Sequence, residues 1–340
     1  MSSEHTPKKI DAILVAGEGE SSYKVYNQHK AFLKIDGKCI INYVLETLQQ
    51  SESIDKIYVV GSKDSLSKML EESDIDTQNP KPIYLVEQYA NLFENIWNTF
   101  LQTIGANENE INLEDSKHKE KAVLIVPCDS PLIAPHEVEY FIEKSDIENY
   151  DQVLGLTASE TLEPFYPRNG KLGIEMAYLH LKDKKYRINN LHLVKPLKIL
   201  NRKYIRKMYQ YRYQRNIKNV FLFGLSLIGK GHSINLKFYI GLQLASFFSK
   251  RNWPWLTKIF RSWTPKLEFE KCISSILKTH FTGLETPHPG PALDIDNDRD
   301  YEAMKNRFKE WKEYINKLKL EPATPTKDNP VLTEAGLSTK

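Results

Sequence analysis

Cysteine and long apolar runs are what this chain of 340 residues uses least. Its three cysteines, Cys39, Cys128 and Cys272, stand far apart without CxxC spacing, which excludes a disulfide framework and a cysteine zinc site and leaves them as small core residues. The apolar stretches VFLFGLSLI and FYIGLQLASFF both stop well short of the roughly 18 to 20 residues a spanning helix needs, so neither predicts a bilayer crossing. The opening, MSSEHTPKKIDAILVAG, does not follow the charged, apolar and small order of a signal peptide, and the expectation is a cytoplasmic protein. A further absence has more content. From Lys184 to Leu267 no Asp or Glu occurs, against 19 Lys and Arg, and the remaining chain holds 28 basic residues against 44 acidic ones. The net charge of +3 thus hides an acidic body and a strongly basic block. Blocks of this kind meet polyanions or anionic lipid headgroups. Peripheral contact with an anionic membrane follows as an expectation, with no specific nucleic acid as partner and nothing to indicate oligomeric state.

At 41% apolar residues the chain has material for one large α/β domain or two ordinary ones. IDAILVAG, KIYVVGS, PIYLVEQ and AVLIVPCD are short continuous apolar runs, as buried parallel strands should be. CIINYVLETLQQS places Ile40, Ile41, Val44, Leu45 and Leu48 on one helical stripe, and NLFENIWNTFLQTI and PHEVEYFIEKS are further helices. DQVLGLTAS is a fifth strand. Alternation at this spacing predicts a parallel sheet covered on both faces, with the ligand site at the carboxyl ends of its strands. GANENEINLEDSKHKEK is a solvated loop. The basic block includes the helical pattern NRKYIRKMYQYRYQRNIKN, and ALDIDNDRDYEA feeds a long amphipathic helix.

Three short segments carry the chemistry. Ala16-Gly17-Glu18-Gly19 turns out of the first strand, where backbone N–H groups without a Cβ in the way can approach phosphate oxygens. A nearby lysine adds a mobile positive charge, and Lys30 is the choice, with Lys24 and Lys34 as competitors. In VPCDSPLI the strand ends on Asp129, at the same edge as the glycine turn. In ALDIDNDRDYEA, Asp294 and Asp296 lie two apart on an extended segment and point the same way. Carboxylates from two separated segments suit Mg²⁺ held between protein and triphosphate, because that ion keeps octahedral oxygen ligation with few protein ligands. Asp300 reads as a helix cap. Arg187, Asn189, Asn190 and His192, in YRINNLHL, either read the acceptor or form a loop that satisfies its own backbone.

LVAGEGE, HKAFLKIDGKCIINYVLETL, IYVVGS, LIVPCDSPLI and ALDIDNDRDYEA, in this order, resemble the signatures of the nucleotidyltransferases related to molybdenum-cofactor guanylyltransferase. The resemblance covers residues 8 to about 157 and about 268 to 315. It implies a Rossmann-like three-layer α/β/α sandwich of the nucleotide-diphospho-sugar transferase type, with a basic, mainly helical insertion. It also implies that Ala16 to Gly19 hold a nucleoside triphosphate, that Lys30 contacts its α-phosphate, and that Asp129 with Asp294 or Asp296 holds Mg²⁺. One departure is plain: Ser21 stands about where the family's loop has an arginine. The domain reading is a nucleotidyltransferase domain over residues 8–320, interrupted at about 196–267 by the basic insertion, with a disordered tail over 321–340.

The expected reaction is transfer of a nucleotidyl group from a triphosphate to a phosphorylated sugar, polyol or headgroup, with pyrophosphate leaving. Two other functions fit parts of the same sequence. A metal-dependent nucleotide-sugar glycosyltransferase would share the sheet and the metal but release no pyrophosphate. A non-catalytic RNA-binding or membrane-scaffold protein would use the basic block, where aromatics alternate with basic residues in KMYQYRYQR.

Overall fold

A computed structural model of the chain describes residues 9–18, 24–106, 117–206 and 236–318. Gly19, Ser21, most of the GANENEINLEDSKHKEK loop, KMYQYRYQR, VFLFGLSLI and the tail lie outside these residues. Seven strands form one continuous sheet: β1 (Ile10–Ala16), β2 (Ile54–Gly61), β3 (Ile83–Glu87), β4 (Val123–Pro127), β5 (Gln152–Ala158), β6 (Lys185–Val194) and β7 (Phe281–Thr286). Their spatial order is β3-β2-β1-β4-β6-β5-β7, and the short strand Leu179–His180 pairs with the start of β6. Strands β1 to β4 are mutually parallel, as is β7 with β5. The wholly parallel expectation is corrected at β6, which runs antiparallel to both β4 and β5.

The doubly apolar reading of β1 has a direct structural cause. Ala12, Leu14 and Ala16 pack with α1 (Ile40–Gln50) and α4 (Pro135–Lys144), while Ile13 faces Phe93, Trp97 and Phe100 of α3 (Leu92–Thr103) on the other side. Each face of the central strands thus meets a helix layer, and alternation of apolar with polar residues disappears. Phe100 and Phe141, fully enclosed in opposite layers, each contribute about 2 to 3 kcal/mol of transfer free energy. Between β2 and β3 lies α2 (Lys63–Glu71), which buries only Leu66 and Met69 and so leaves little apolar pattern to read.

After β6 come α5 (Leu236–Lys250), α6 (Pro254–Arg261) and α7 (Lys266–Leu277), so the described part of the basic block beyond β6 is helical. It shares the core of the sheet: Phe238 and Phe269 join Leu154, Leu156, Tyr186 and Phe281 in one buried cluster. The last helix, α8 (Asp298–Leu318), packs Met304, Phe308, Trp311 and Ile315 against Leu33, Ile35, Ile40 and Tyr43. Tyr301 donates its hydroxyl to the Lys34 carbonyl at 2.8 Å. This long-range packing carries the segment before α8 to the segment after β1, where the chemistry lies.

Candidate active site

The site forms where β1 and β4 end side by side. Cys128 N–H donates to the Val15 carbonyl at 3.1 Å, continuing the β1–β4 pairing one step beyond the strand and fixing the backbone of Asp129. The Asp129 carbonyl in turn accepts from Ile295 N–H at 3.1 Å, which joins the DID segment to the same edge. Asp129, Asp294 and Asp296 therefore converge, with carboxylate oxygens all within 4.8 Å of one another. Lys30, in a single helical turn over Lys30–Phe32, places its ammonium against Asp129 Oδ2, lies 3.5 Å from Asp296 Oδ1 and donates to the Ile295 carbonyl at 3.1 Å. Lys24 and Lys34, the competing lysines, are exposed. Arg187 forms an ion pair with Asp294 from the opposite side.

Two cations thus face three carboxylates, and the electrostatics reflect the imbalance. Burial pushes Asp129 above the usual carboxylate range, and the charges of Asp294 and Asp296 push it further against the pull of Lys30. Asp296 is raised for the same reasons, burial first and Asp294 second. Burial disfavours the ammonium of Lys30, yet Asp129 and Asp296 outweigh it and hold its pKa above that of an ordinary lysine. Asp129 Oδ1 is buried with no hydrogen-bond partner. A divalent cation with oxygen ligands fits these residues: the carboxylates come from two segments, one oxygen is orphaned, and the local charge is short of positive balance.

The glycine turn is built by contacts that single residues in a sequence do not announce. A Cβ on Gly17 would sit 2.6 Å from Asn95 Nδ2, so any larger residue would have to displace the amide of Asn95 on α3. The Gly17 carbonyl accepts from His29 Nε2 at 3.1 Å, which sets the Nε2–H tautomer in this ring, and Glu18 N–H donates to Gln88 Oε1 at 2.7 Å. Ala16 is buried at the end of β1. His29, Gln88 and Asn95 were missed as members of this turn, and none has a local pattern that would reveal them.

Arg187, Asn189 and Asn190 all reach toward the DID segment or the end of β7. Asn189 is wholly buried; its amide donates to Thr286 Oγ1 at 2.9 Å and accepts from Leu191 N–H at 3.3 Å. It crosses so close to β5 that a Cβ on Gly155 would lie 1.8 Å from its Oδ1. Asn190, at φ +62°, donates to the Pro291 carbonyl at 3.2 Å. These amides are engaged inside the chain, where they brace the loop leading to Asp294. The cap of α8 is Asn297, not Asp300: Asn297 Oδ1 accepts from Asp300 N–H at 3.0 Å, while the Asp300 carboxylate, in the first helical turn, accepts from Asn297 Nδ2 at 2.7 Å and from Asp296 N–H at 3.3 Å. Burial raises the Asp300 pKa to about 6.

A mixed sheet with one antiparallel strand, and a lysine and three aspartates at its edge, define a nucleotidyltransferase of the Rossmann-like α/β class. Residues 12–222 match the model of the MobA-like NTP transferase domain, and the chain belongs to that family. A probable molybdenum cofactor guanylyltransferase of Thermococcus kodakarensis is 22% identical over 180 residues, which is 53% of this chain and 75% of that relative. A hypothetical transferase of Thermus thermophilus has a similar fold, with 19% identity, a TM-score of 0.53, and coverage of 86% of this chain and 99% of its own. A CMP:2-keto-3-deoxy-manno-octonic acid synthetase complexed with CTP aligns at 11% identity and a TM-score of 0.45, over 89% of this chain and 99% of its own.

Proposed function

We propose that the protein transfers a nucleotidyl group from a nucleoside triphosphate to a phosphorylated small molecule, with Mg²⁺ as cofactor. The observation that carries this reading is the convergence of Asp129, Asp294 and Asp296 around the Lys30 ammonium. A phosphate oxygen of the acceptor attacks the α-phosphorus, the bond from that phosphorus to the bridging oxygen breaks, and pyrophosphate leaves with the electron pair. A phosphate acceptor is already ionised, so no strong general base is needed. When bound by the three aspartates, Mg²⁺ supplies charge neutralisation for the triphosphate. With the carboxylates so compensated, the Lys30 ammonium is available to the α-phosphate, where it opposes the charge that grows as pyrophosphate departs. The turn at Ala16 to Gly19 approaches the triphosphate through its backbone, and Arg187 holds Asp294 in register while adding positive charge to the site.

A cavity of about 450 Å³, lined by none of Lys30, Asp129, Asp294 and Asp296 but reached by the strand that carries Arg187, is the place we assign to a phosphorylated acceptor. Its lining includes Lys185, His180, Tyr166, Tyr178 and one carboxylate, Glu163, with Ser249 and Lys250 from α5. Lys185 stands two residues before Arg187 on β6, and side chains at that spacing share a face of the sheet. Burial first, and then the charges of Lys185, Arg261 and Lys250, lower the His180 pKa to about 4. The test is to combine each nucleoside triphosphate with a panel of sugar, polyol and headgroup phosphates and to measure pyrophosphate release. Release that requires one phosphate monoester and Mg²⁺ is the expected outcome. Transfer of a sugar from a nucleotide sugar without pyrophosphate would overturn the reading in favour of a glycosyltransferase.

A further inference from the structure

Helices α5 and α6 form a hairpin with two contrasting sides. Inside it, Phe248 stacks on Trp253 and Phe260 at centroid distances of 5.6 and 5.4 Å, and Gly241 lets α5 approach the Phe260 carbonyl and Trp263 closely. The hairpin is tied to the fold by Arg261 Nε, which donates to the Leu181 carbonyl at 2.8 Å, and by Thr264 Oγ1, which donates to the His180 carbonyl at 2.8 Å. Outside, Trp255 is 65% exposed, Ile259 45% and Phe247 44%, while Trp253, stacked on Phe248 with one face, is 48% exposed. Trp255 and Ile259 lie four apart on α6 and therefore share one face. Exposed apolar side chains gathered on one face, as Trp255 and Ile259 are, mark a surface of interaction more often than scattered ones do.

The charge around this face is of one sign. Lys250, Arg251 and Lys258 are exposed, and among the described residues none of them has a carboxylate within 4.0 Å. The Arg251 guanidinium lies 4.1 Å from the Phe247 ring centroid, an apolar and cationic pair at the surface. The whole stretch from Lys184 to Leu267 offers no acidic side chain. Tryptophan and isoleucine projecting among unopposed cations match the boundary of an anionic bilayer, where indole and alkyl groups enter the headgroup layer and Lys and Arg remain with the phosphates. No helix among the described residues is long and apolar enough to cross a membrane, so the contact is with the surface alone.

We propose that the α5–α6 hairpin is a docking face for the surface of an anionic lipid bilayer. This assignment does not depend on the acceptor, since Trp255, Ile259, Arg251 and Lys258 belong to neither the aspartate cluster nor the cavity lining; Lys250 alone is shared with the cavity. RNA is the alternative polyanion, but it would be met by cations and stacked rings, and an exposed isoleucine and an apolar edge add nothing to that contact.

The experiment is sedimentation of the full chain with vesicles of phosphatidylglycerol and phosphatidylcholine in equal parts, with vesicles of phosphatidylcholine alone, and with poly(U) at the same ionic strength. Anionic vesicles should bind at least about tenfold more tightly than neutral ones, because each cation reaching the surface is worth about fivefold in partitioning. Added salt should weaken this binding. Trp255→Ala and Ile259→Ser together should reduce it by about tenfold or more at unchanged thermal stability, since both side chains are outside the core. Lys258→Glu, a second variant without a packing consequence, should reduce it several-fold. Equal binding to both kinds of vesicle, tighter binding to poly(U), no binding, or indifference to the Trp255 and Ile259 changes would each overturn the proposal.

Discussion

The aspartate cluster and the α5–α6 hairpin treat charge in opposite ways. At the strand ends, Lys30, Arg187, Asp129 and Asp294 are largely enclosed and compensate one another inside the fold. On the hairpin, Lys250, Arg251 and Lys258 stand in solvent beside exposed aromatics. Enclosed charges must be answered by the protein itself, because taking a charge out of water costs far more than a surface contact returns. Exposed charges need no internal answer, and a one-signed set of them points to something outside the chain. On the two proposals made above, the difference separates residues that do chemistry from residues that choose where it happens.

The largest effect that sharpens this contrast is expected at Asp129. Asp129→Asn should lower turnover by at least about 100-fold while the protein remains folded, since it removes the most deeply buried carboxylate of the cluster and keeps the shape of the side chain. Steady-state pyrophosphate release alongside circular dichroism is the measurement, and near-normal turnover would detach the cluster from catalysis. Lys30 comes next. Lys30→Met should lower kcat on the order of 10- to 100-fold and change KM for the triphosphate by much less, because the ammonium acts on charge that grows in the transition state. Lys24→Met, at an exposed position, should leave both within a few-fold; the reverse pattern would put the working lysine six residues before Lys30.

Glu137 is a third case, an enclosed carboxylate with no cation as partner. It accepts from Ala134 N–H at 2.8 Å and Gly290 N–H at 2.9 Å, and burial, outweighing these donors, raises its pKa to about 8 from an ordinary 4.5. Between those values the folded state keeps a proton that the unfolded state has released, so stability falls as pH rises through this window, by up to about 1.4 kcal/mol per pH unit. Denaturation of the parent and of Glu137→Gln at about pH 5 and about pH 8 isolates the contribution. The parent should lose more stability across the window than the variant does. An equal or smaller loss in the parent would mean that Glu137 is ionised in the native state.

Much of this contrast was legible in the amino-acid sequence, and the reasons are local. IDAILVAG and AVLIVPCD read as buried strands because both faces are covered, and Asp129 stood out because a carboxylate directly followed such a run. The antiparallel strand β6 did not, because Asn189 and Asn190 interrupt its alternation with a register shift, and the reason for Asn189 lies in Gly155 on a neighbouring strand. FTGLET, which forms β7, is short and only partly buried, and its pairing with β5 is set by α7 and the hairpin packed over it. The approach of Lys30 to the DID segment depends on α8 folding back over α1, a contact that no local spacing encodes.

The cavity lined by Lys185 from β6 and Lys250 from α5 joins the hairpin to the strand that carries Arg187. If the acceptor's anionic group lies there, the basic block contributes to the reaction as well as to docking, and the separation between chemistry and location is incomplete by one lysine. The effect should be the smallest of the series, since an exposed charged contact is worth about 0.2 to 1 kcal/mol. Lys185→Ala and Lys250→Ala should therefore each raise KM for the phosphate monoester by up to about fivefold, leaving KM for the triphosphate and the dependence on Mg²⁺ unchanged. A rise in the triphosphate KM instead would mean that the cavity receives the nucleotide. No change in either would confine the basic block to the surface and leave acceptor recognition to Arg187 and the loop it braces.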